Sequence, residues 1–346
     1  MARATMMREP ATAPILHGGR LEAMRRRYPA APEPWIDLST GINPIAYPLP
    51  SWSDDCFTRL PEPEAVTRLE RLAASAYGVG DPVMVAAAPG TQILIDLLPR
   101  LLAQPHVAIL GPTYAEHAAA WARAASTVTM IATIDDIATP GSVVLCNPNN
   151  PDGRIIAPAA LRPLADRLAS RGGYLIIDEA FADLAPPGTS LAGDLPHPAL
   201  IILRSFGKTY GLAGVRLGFA LAAPPITAMI RAALGPWAIS GPALTAGAAA
   251  LADRDWLTAT RNRLRDDTAT LDRLLSEAGM TGQGGTALFR LVSTPRAALW
   301  CDHLARAGVM VRRFEADPTW LRFGIPGPPA AWARLRHALA GIPPCA

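Results

Sequence analysis

The chain has 346 residues, half of them apolar and 18% charged, with a net charge of +3. That length fits one large and one small domain around sizeable cores, and the composition excludes a disordered chain. So small a charge gives no electrostatic case for nucleic acid or an anionic membrane as partner.

Residues 1–45 are rich in Pro and Gly and read as an N-terminal arm that rejoins a small domain. Met1–Pro14 carries Arg3, Arg8 and Glu9 and no apolar run, so it does not read as a signal peptide. Residues 46–238 alternate short apolar runs with amphipathic stretches. Val83–Ala88 reads as a strand, Gly90-Thr91 as a turn and Gln92–Leu102 as a helix. Val107–Leu110 is a predicted strand, Tyr114–Ala125 a helix, Val143–Cys146 a strand, and Pro158–Ser170 a helix after a Pro/Asn/Gly loop. Tyr174–Asp178, Leu200–Leu203 and Leu217–Leu221 are further strands. Continuously apolar strands alternating with helices predict a mostly parallel sheet covered on both faces.

Ala232–Ala252 is uncharged, but Ala and Gly dominate it and Pro236 and Pro242 break it. A buried connection and helix is expected there, not a membrane span. Residues 239–346 read as the small α+β domain. Asp253–Ala278 is helical, with Leu257, Leu264, Leu271, Leu274 and Leu275 at near-helical spacing. Ala287–Val292 and Val309–Arg312 are strands around a helix at Pro295–Ala307, and Pro328–Leu339 is the last helix. Cys56, Cys146, Cys301 and Cys345 lack CxxC spacing or a His cluster, which argues against a metal site or disulfide framework. A reducing compartment, the cytoplasm, is expected.

Of the 32 cationic residues, 31 are Arg and one is Lys, at Lys208. Arg stays protonated, whereas a Lys amine can lose its proton and form a Schiff base with a carbonyl. Three loops after strands come in the order Cys146–Gly153 (CNPNNPDG), Ile177–Phe181 (IDEAF) and Arg204–Gly218 (RSFGKTYGLAGVRLG). In open α/β sheets ligands sit beyond the carboxyl ends of strands, so these loops can converge. The chemistry is that of an aldehyde cofactor on Lys208, with a pyridine ring as electron sink. Asp178 can keep the ring nitrogen protonated: about 4 kcal/mol at 4 Å and an effective dielectric near 20, or about three pKa units. Asn150 can donate to the ring phenolate. A cofactor phosphate fits Gly90, Thr91 and Gln92 at a helix start, the Ser205 hydroxyl and the Arg216 fork. Singly, the Asn-Pro loop is also an ordinary turn and an Asp-Glu pair an ordinary solvated one; the order around one Lys makes them a set.

NPNNPDG, DEAF and SFGKTYGLAGVRLGF resemble the pyridoxal-phosphate enzymes of the aspartate aminotransferase superfamily, over nearly the whole chain. The resemblance implies fold type I: an α/β large domain with a mostly parallel seven-stranded sheet between helices, plus a smaller α+β domain. It implies pyridoxal 5'-phosphate on Lys208 and a homodimer with its active site at the subunit interface. Asn150, Asp178 and Arg216 match the family's cofactor ligands, Tyr114 in GPTY its ring-stacking aromatic, and Arg322 in WLRFGI its carboxylate-gripping Arg. His17-Gly18-Gly19 and Ile36–Pro44 (IDLSTGINP) resemble the threonine-phosphate decarboxylase branch of cobalamin biosynthesis. There the resemblance implies that His17, Gly18, Gly19, Gly41, Asn43, Asn150, Arg312 and Arg322 bind a phosphorylated amino-acid substrate; a surface arm is the plain alternative for His17. The implied reaction is decarboxylation of L-threonine O-3-phosphate to (R)-1-aminopropan-2-yl phosphate. A histidinol-phosphate-type aminotransferase and a non-catalytic fold-type-I regulatory module are the competing readings. The sequence departs from the wider pattern at Phe181 and Leu60, where relatives often carry Tyr, at Gly207 for Ser and at Asp152 for Thr.

Overall fold

A computed structural model describes residues 17–137 and 141–341. Thirteen strands occur among them: β1 (Ile36–Asp37), β2 (Val85–Ala88), β3 (His106–Leu110), β4 (Thr127–Ile131), β5 (Ser142–Cys146), β6 (Leu175–Asp178), β7 (Leu200–Ser205), β8 (Gly218–Ala222), β9 (Thr281–Thr286), β10 (Phe289–Ser293), β11 (Val309–Met310), β12 (Arg312–Arg313) and β13 (Trp320–Gly324). Seven form the large sheet, in the order β2-β8-β7-β6-β5-β3-β4. Only β8 runs against its neighbours.

Burial explains the strand composition. Every residue of β2, β5, β6, β7 and β8 is buried, as strands covered on both faces require. One core, including Leu69, Leu145, Ile177 and Phe219, lies under one face, and another, including Leu98, Ile109, Val144 and Trp121, under the other. The edge strand β4 (TVTMI) is largely exposed. Its polar, water-facing residues give no apolar run, and the sequence reading passed over it. Val83–Ala88 also divides: Pro82–Met84 is a 3-10 turn and the strand starts at Val85.

The small domain is built on the antiparallel sheet β12-β13-β10-β9, with β1 paired in parallel to β11. Residues 36–37 thus meet the C-terminal strands through the β1–β11 pair. Helix Arg254–Glu277 starts where the Asp253 carboxylate accepts from Trp256 N at 2.9 Å. It turns Leu264, Leu271, Leu274 and Leu275 into a core shared with Phe289, Trp300, Phe323 and Leu335. Helix Gly241–Ala252, assigned above to the small domain, instead sends Ala243, Ala246 and Ala250 into the core of the large sheet. Its small side chains permit close approach: a Cβ on Gly247 would stand 2.5 Å from Leu217. No helix among the described residues is long and apolar enough to cross a membrane.

Candidate active site

Strand direction gathers the site. β2, β5, β6 and β7 point their carboxyl ends the same way, and β8 begins at that edge. The loops after β2, β5, β6 and β7 and the loop before β8 thus meet over one end of the sheet, around a cleft of about 280 Å³. Gly90, Tyr114, Asn150, Asp178, Lys208 and Arg216 all border it.

Lys208 lies in the short helix Phe206–Thr209 directly after β7. Burial, with Arg322 and Arg216 nearby, lowers its pKa despite the attraction of Asp178. This favours the neutral amine that attacks a carbonyl. Asp178 ends β6 and is buried; its Oδ2 lies 3.0 Å from His117 Nε2, and its Oδ1 accepts from Ala180 N at 3.0 Å. Burial alone would raise its pKa, but His117 and Lys208 outweigh it and hold the carboxyl below its usual range. His117 is raised to about 10: burial opposes its charge, while Cys146 and Asp178 stabilise it. His117, Cys146 and Asp178 gather within 4.8 Å of one another. This side of the cleft is a buried acceptor ready for a cation. The sequence reading missed His117, because one His within a helix, Ala115–Arg123, carries no local signal.

The Asn-rich loop shows why one Asn is left for chemistry. Asn147 exchanges two hydrogen bonds with the backbone of Ile156. Asn149 accepts from Thr113 Oγ1 and donates to Pro112 O and Asp152 Oδ1. Asp152 also accepts from Arg154 N at 3.0 Å, so the Asp in place of Thr closes the turn itself. Asn150 is the one that borders the cleft, its Oδ1 accepting from Arg322 Nη1 at 2.5 Å.

Gly90 opens helix Thr91–Leu102 with φ +86° and no side-chain cap, which leaves the first turn for an anion. A Cβ at Gly90 would stand 2.6 Å from Arg216 Nη2, so the guanidinium lies across the glycine. Arg216 itself holds φ +56°; a non-Gly residue there marks a backbone held by its surroundings. Ser205 ends β7 beside Gly218, which begins β8. Helix start, hydroxyl and Arg fork make the cradle a phosphate monoester needs. Gln92 accepts from Tyr114 Oη at 3.1 Å and donates to Asp96 at 3.1 Å. Together with the amine of Lys208 and the carboxylate of Asp178, these residues fit pyridoxal phosphate, whose three functional ends need those three chemistries.

The substrate-side residues divide. His17 borders the cleft, 2.9 Å from Glu116 Oε1 and 6.1 Å from the Tyr114 ring. Gly18 and Gly41 also border it; a Cβ on Gly41 would meet Phe181 and Phe289 at 3.0 Å. Gly19 donates to Ser39 Oγ at 2.8 Å. Asn43 lies outside the lining: its side chain donates to Thr209 O and accepts from Arg263 and Ile45 N, fastening the loop beside Lys208. Arg312 stands opposite Arg322 in the β12–β13 pair, so both side chains leave the same face. Arg322 is buried, donates to Ser39 O at 2.7 Å and packs over Phe289. Burial and Arg312 lower its pKa to about 9, so it stays charged at neutral pH. Phe181 has no hydroxyl to offer; Lys208 Nζ lies 5.2 Å from its ring centroid.

The family model described as aminotransferase class I and II matches residues 54–339. Threonine-phosphate decarboxylase of Sinorhizobium sp is 45% identical over 332 residues, 95% of this chain and 98% of that protein. The protein of the same name from Pseudomonas aeruginosa is 44% identical over 329 residues, 94% and 97% of the two chains. Among solved structures, histidinol-phosphate aminotransferase from Sinorhizobium meliloti in complex with pyridoxal-5'-phosphate aligns with a TM-score of 0.79 at 20% identity, over 97% of each chain. That last likeness concerns the fold alone. With a family match across most of its length, the chain belongs to the class I and II aminotransferases.

Proposed function

We propose that this protein is a pyridoxal-phosphate-dependent carboxy-lyase that converts L-threonine O-3-phosphate to (R)-1-aminopropan-2-yl phosphate in cobalamin biosynthesis. The observation that carries the reading is identity of 44–45%, over nearly the full length, to two threonine-phosphate decarboxylases. Bound pyridoxal phosphate supplies an electron sink for the pair left at Cα when a bond there breaks. Asp178, kept ionised by His117, would hold a proton on the ring nitrogen. Lys208 would provide the amine that holds the cofactor. Ser205, Arg216 and the helix start after Gly90 would hold the cofactor phosphate, with Tyr114 for the ring and Asn150 for the phenolate oxygen.

Two anionic groups on the substrate match the two guanidinium groups that share a face, Arg322 for the carboxylate and Arg312 with His17 for the phosphate. Like charges side by side are costly alone and favourable around a dianion. Arg322, held by Ser39 O and Asn150 Oδ1, would fix the position of the substrate carboxylate.

A homodimer is part of this reading. Phe57 and Leu60 are 66% and 64% exposed, and Trp237 58%. The segment bearing Phe57 and Leu60 lies against the start of the helix that follows Trp237, where a Cβ on Gly241 would be 2.1 Å from Cys56 O. Large exposed apolar residues on adjoining segments support an interface. Leu60, in place of a Tyr, would meet the partner through apolar contact. A cytoplasmic location is supported by the free thiols of Cys56, Cys146 and Cys301.

The test is carbon dioxide release from carboxyl-labelled threonine phosphate, run beside glutamate formation from 2-oxoglutarate and histidinol phosphate. Label release that requires pyridoxal phosphate is expected. Glutamate without label release would assign the chain to the aminotransferases, and neither product would leave a non-catalytic module.

A further inference from the structure

We propose that Ser39 is a positioning residue that couples the His17-Gly18-Gly19 arm to Arg322, so that seating the arm and aiming the guanidinium are one event. The proposal rests on the reading of a phosphorylated amino acid as substrate, since it joins the residues assigned to its two anionic ends.

Ser39 is 0% exposed, and its polar atoms are divided between the two sides. Its Oγ donates to Asp37 Oδ1 at 2.6 Å and accepts from Gly19 N at 2.8 Å. Its amide donates to the same Asp37 oxygen at 2.8 Å. Its carbonyl accepts from Arg322 Nη2 at 2.7 Å. The arm approaches those same atoms: a Cβ on Gly18 would stand 2.6 Å from Ser39 O and 2.8 Å from Ser39 Oγ. No side chain fits at position 18, and Gly19 follows with φ +78°. The two glycines after His17 are therefore what lets the arm lie on Ser39.

Beyond Ser39 the contacts continue. Arg322 donates its other Nη to Asn150 Oδ1 at 2.5 Å, on the loop that faces the cofactor. At the far end the arm presents His17 beside Glu116 and Tyr114. Buried hydrogen bonds linked in this way favour one geometry, and removing one member loosens the others. An arm displaced from Ser39 takes the Gly19 donor from its hydroxyl and leaves the bonds to Asp37, so the peptide carrying the Arg322 acceptor is held less firmly. Coupling of this kind is reciprocal, so a change at Arg322 must also loosen the arm.

The experiment compares holoenzyme with its Ser39→Ala, Gly18→Ala and Arg322→Gln variants. Amide hydrogen exchange of residues 17–21 is read without substrate, and kcat and KM for threonine phosphate with it. The visible band of the bound cofactor is expected to persist in all three. Exchange should quicken about tenfold in each, the scale of one lost hydrogen bond, including Arg322→Gln, which alters no residue of the arm. Ser39→Ala should raise KM about tenfold with kcat within about twofold, and adding Gly18→Ala should raise it little further, because both break one link. Wild-type arm exchange in Arg322→Gln would overturn the coupling, as would KM effects of Ser39→Ala and Gly18→Ala that simply multiply. Failure of the wild type to turn over threonine phosphate would remove the functional reading, while the exchange comparison still decides the coupling.

Discussion

Replacing His117 with Gln keeps a hydrogen-bond donor near Asp178 but removes a buried charge, and its effect on stability should depend on pH. The His117 pKa is raised to about 10 in the folded chain, against about 6.5 for an ordinary His. A raised pKa means that the folded state holds a proton the unfolded state has lost. The stabilisation is fully present below about pH 6.5 and disappears as pH rises through about 10. Within that window it falls by about 1.4 kcal/mol per pH unit, from a ceiling of roughly 5 kcal/mol. Asp178, with a lowered pKa, acts at the other end: its contribution is present above its ordinary range and lost as pH falls through the depressed value. Lys208, also lowered, opposes His117 in the alkaline window, but it is common to both proteins and cancels in the comparison. The assay is urea unfolding of wild type and His117→Gln, both stripped of cofactor, at pH 6.5, 8 and 9.5. The gap between them should shrink by about 2 kcal/mol between pH 6.5 and 8. A gap that does not change with pH would refute the charged His117–Asp178 pair.

Three further outcomes follow from the same geometry. Lys208→Arg keeps the cationic charge but cannot form an imine, so the visible cofactor band should vanish while far-ultraviolet circular dichroism stays that of the wild type. Gly90→Ala sets a Cβ 2.6 Å from Arg216 Nη2 at a φ of +86°, and cofactor Kd, read by absorbance titration of the stripped enzyme, should rise about tenfold or more. Phe57→Asp places a charge on an exposed apolar surface, and sedimentation should shift from a dimer toward the 36.5 kDa monomer.

Much of the site was legible because its chemistry is tied to residue type. One Lys among the cations, an Asp closing a buried strand and a Gly at a helix start each carry their role in their own side chain or lack of one. Sheet direction then brought Asn150, Asp178, Lys208 and Arg216 to one cleft, as the strand-end argument expected. What stayed hidden depends on tertiary neighbours. His117 matters only because its helix lies against β6, and Ser39 only because the arm and Arg322 both reach it. Asn43 was grouped with the substrate ligands through its motif, yet its amide is spent on Thr209 and Arg263. Among the strands, β4 is too exposed and β9 (TGQGGT) too rich in glycine to show an apolar pattern. Two of the glycines of β9 serve close packing instead: a Cβ on Gly284 would stand 2.1 Å from Asp152 O, on the Asn-rich loop, and one on Gly285 2.3 Å from Phe289 O. Helix Gly241–Ala252 looked like part of the small domain because its uncharged run leads into the charged helix. Its alanines are small in order to pack into the large core.

The central claim is that the bond broken at Cα is the one to the carboxylate. Threonine phosphate carrying deuterium at Cα tests it most directly, by mass spectrometry of the product. Decarboxylation leaves the Cα deuterium in place, so the account predicts aminopropanol phosphate that retains the label and carbon dioxide in equal amount. A phosphorylated 2-oxo acid formed with loss of the label would contradict it, because Lys208 would then be removing the Cα hydrogen as an aminotransferase does.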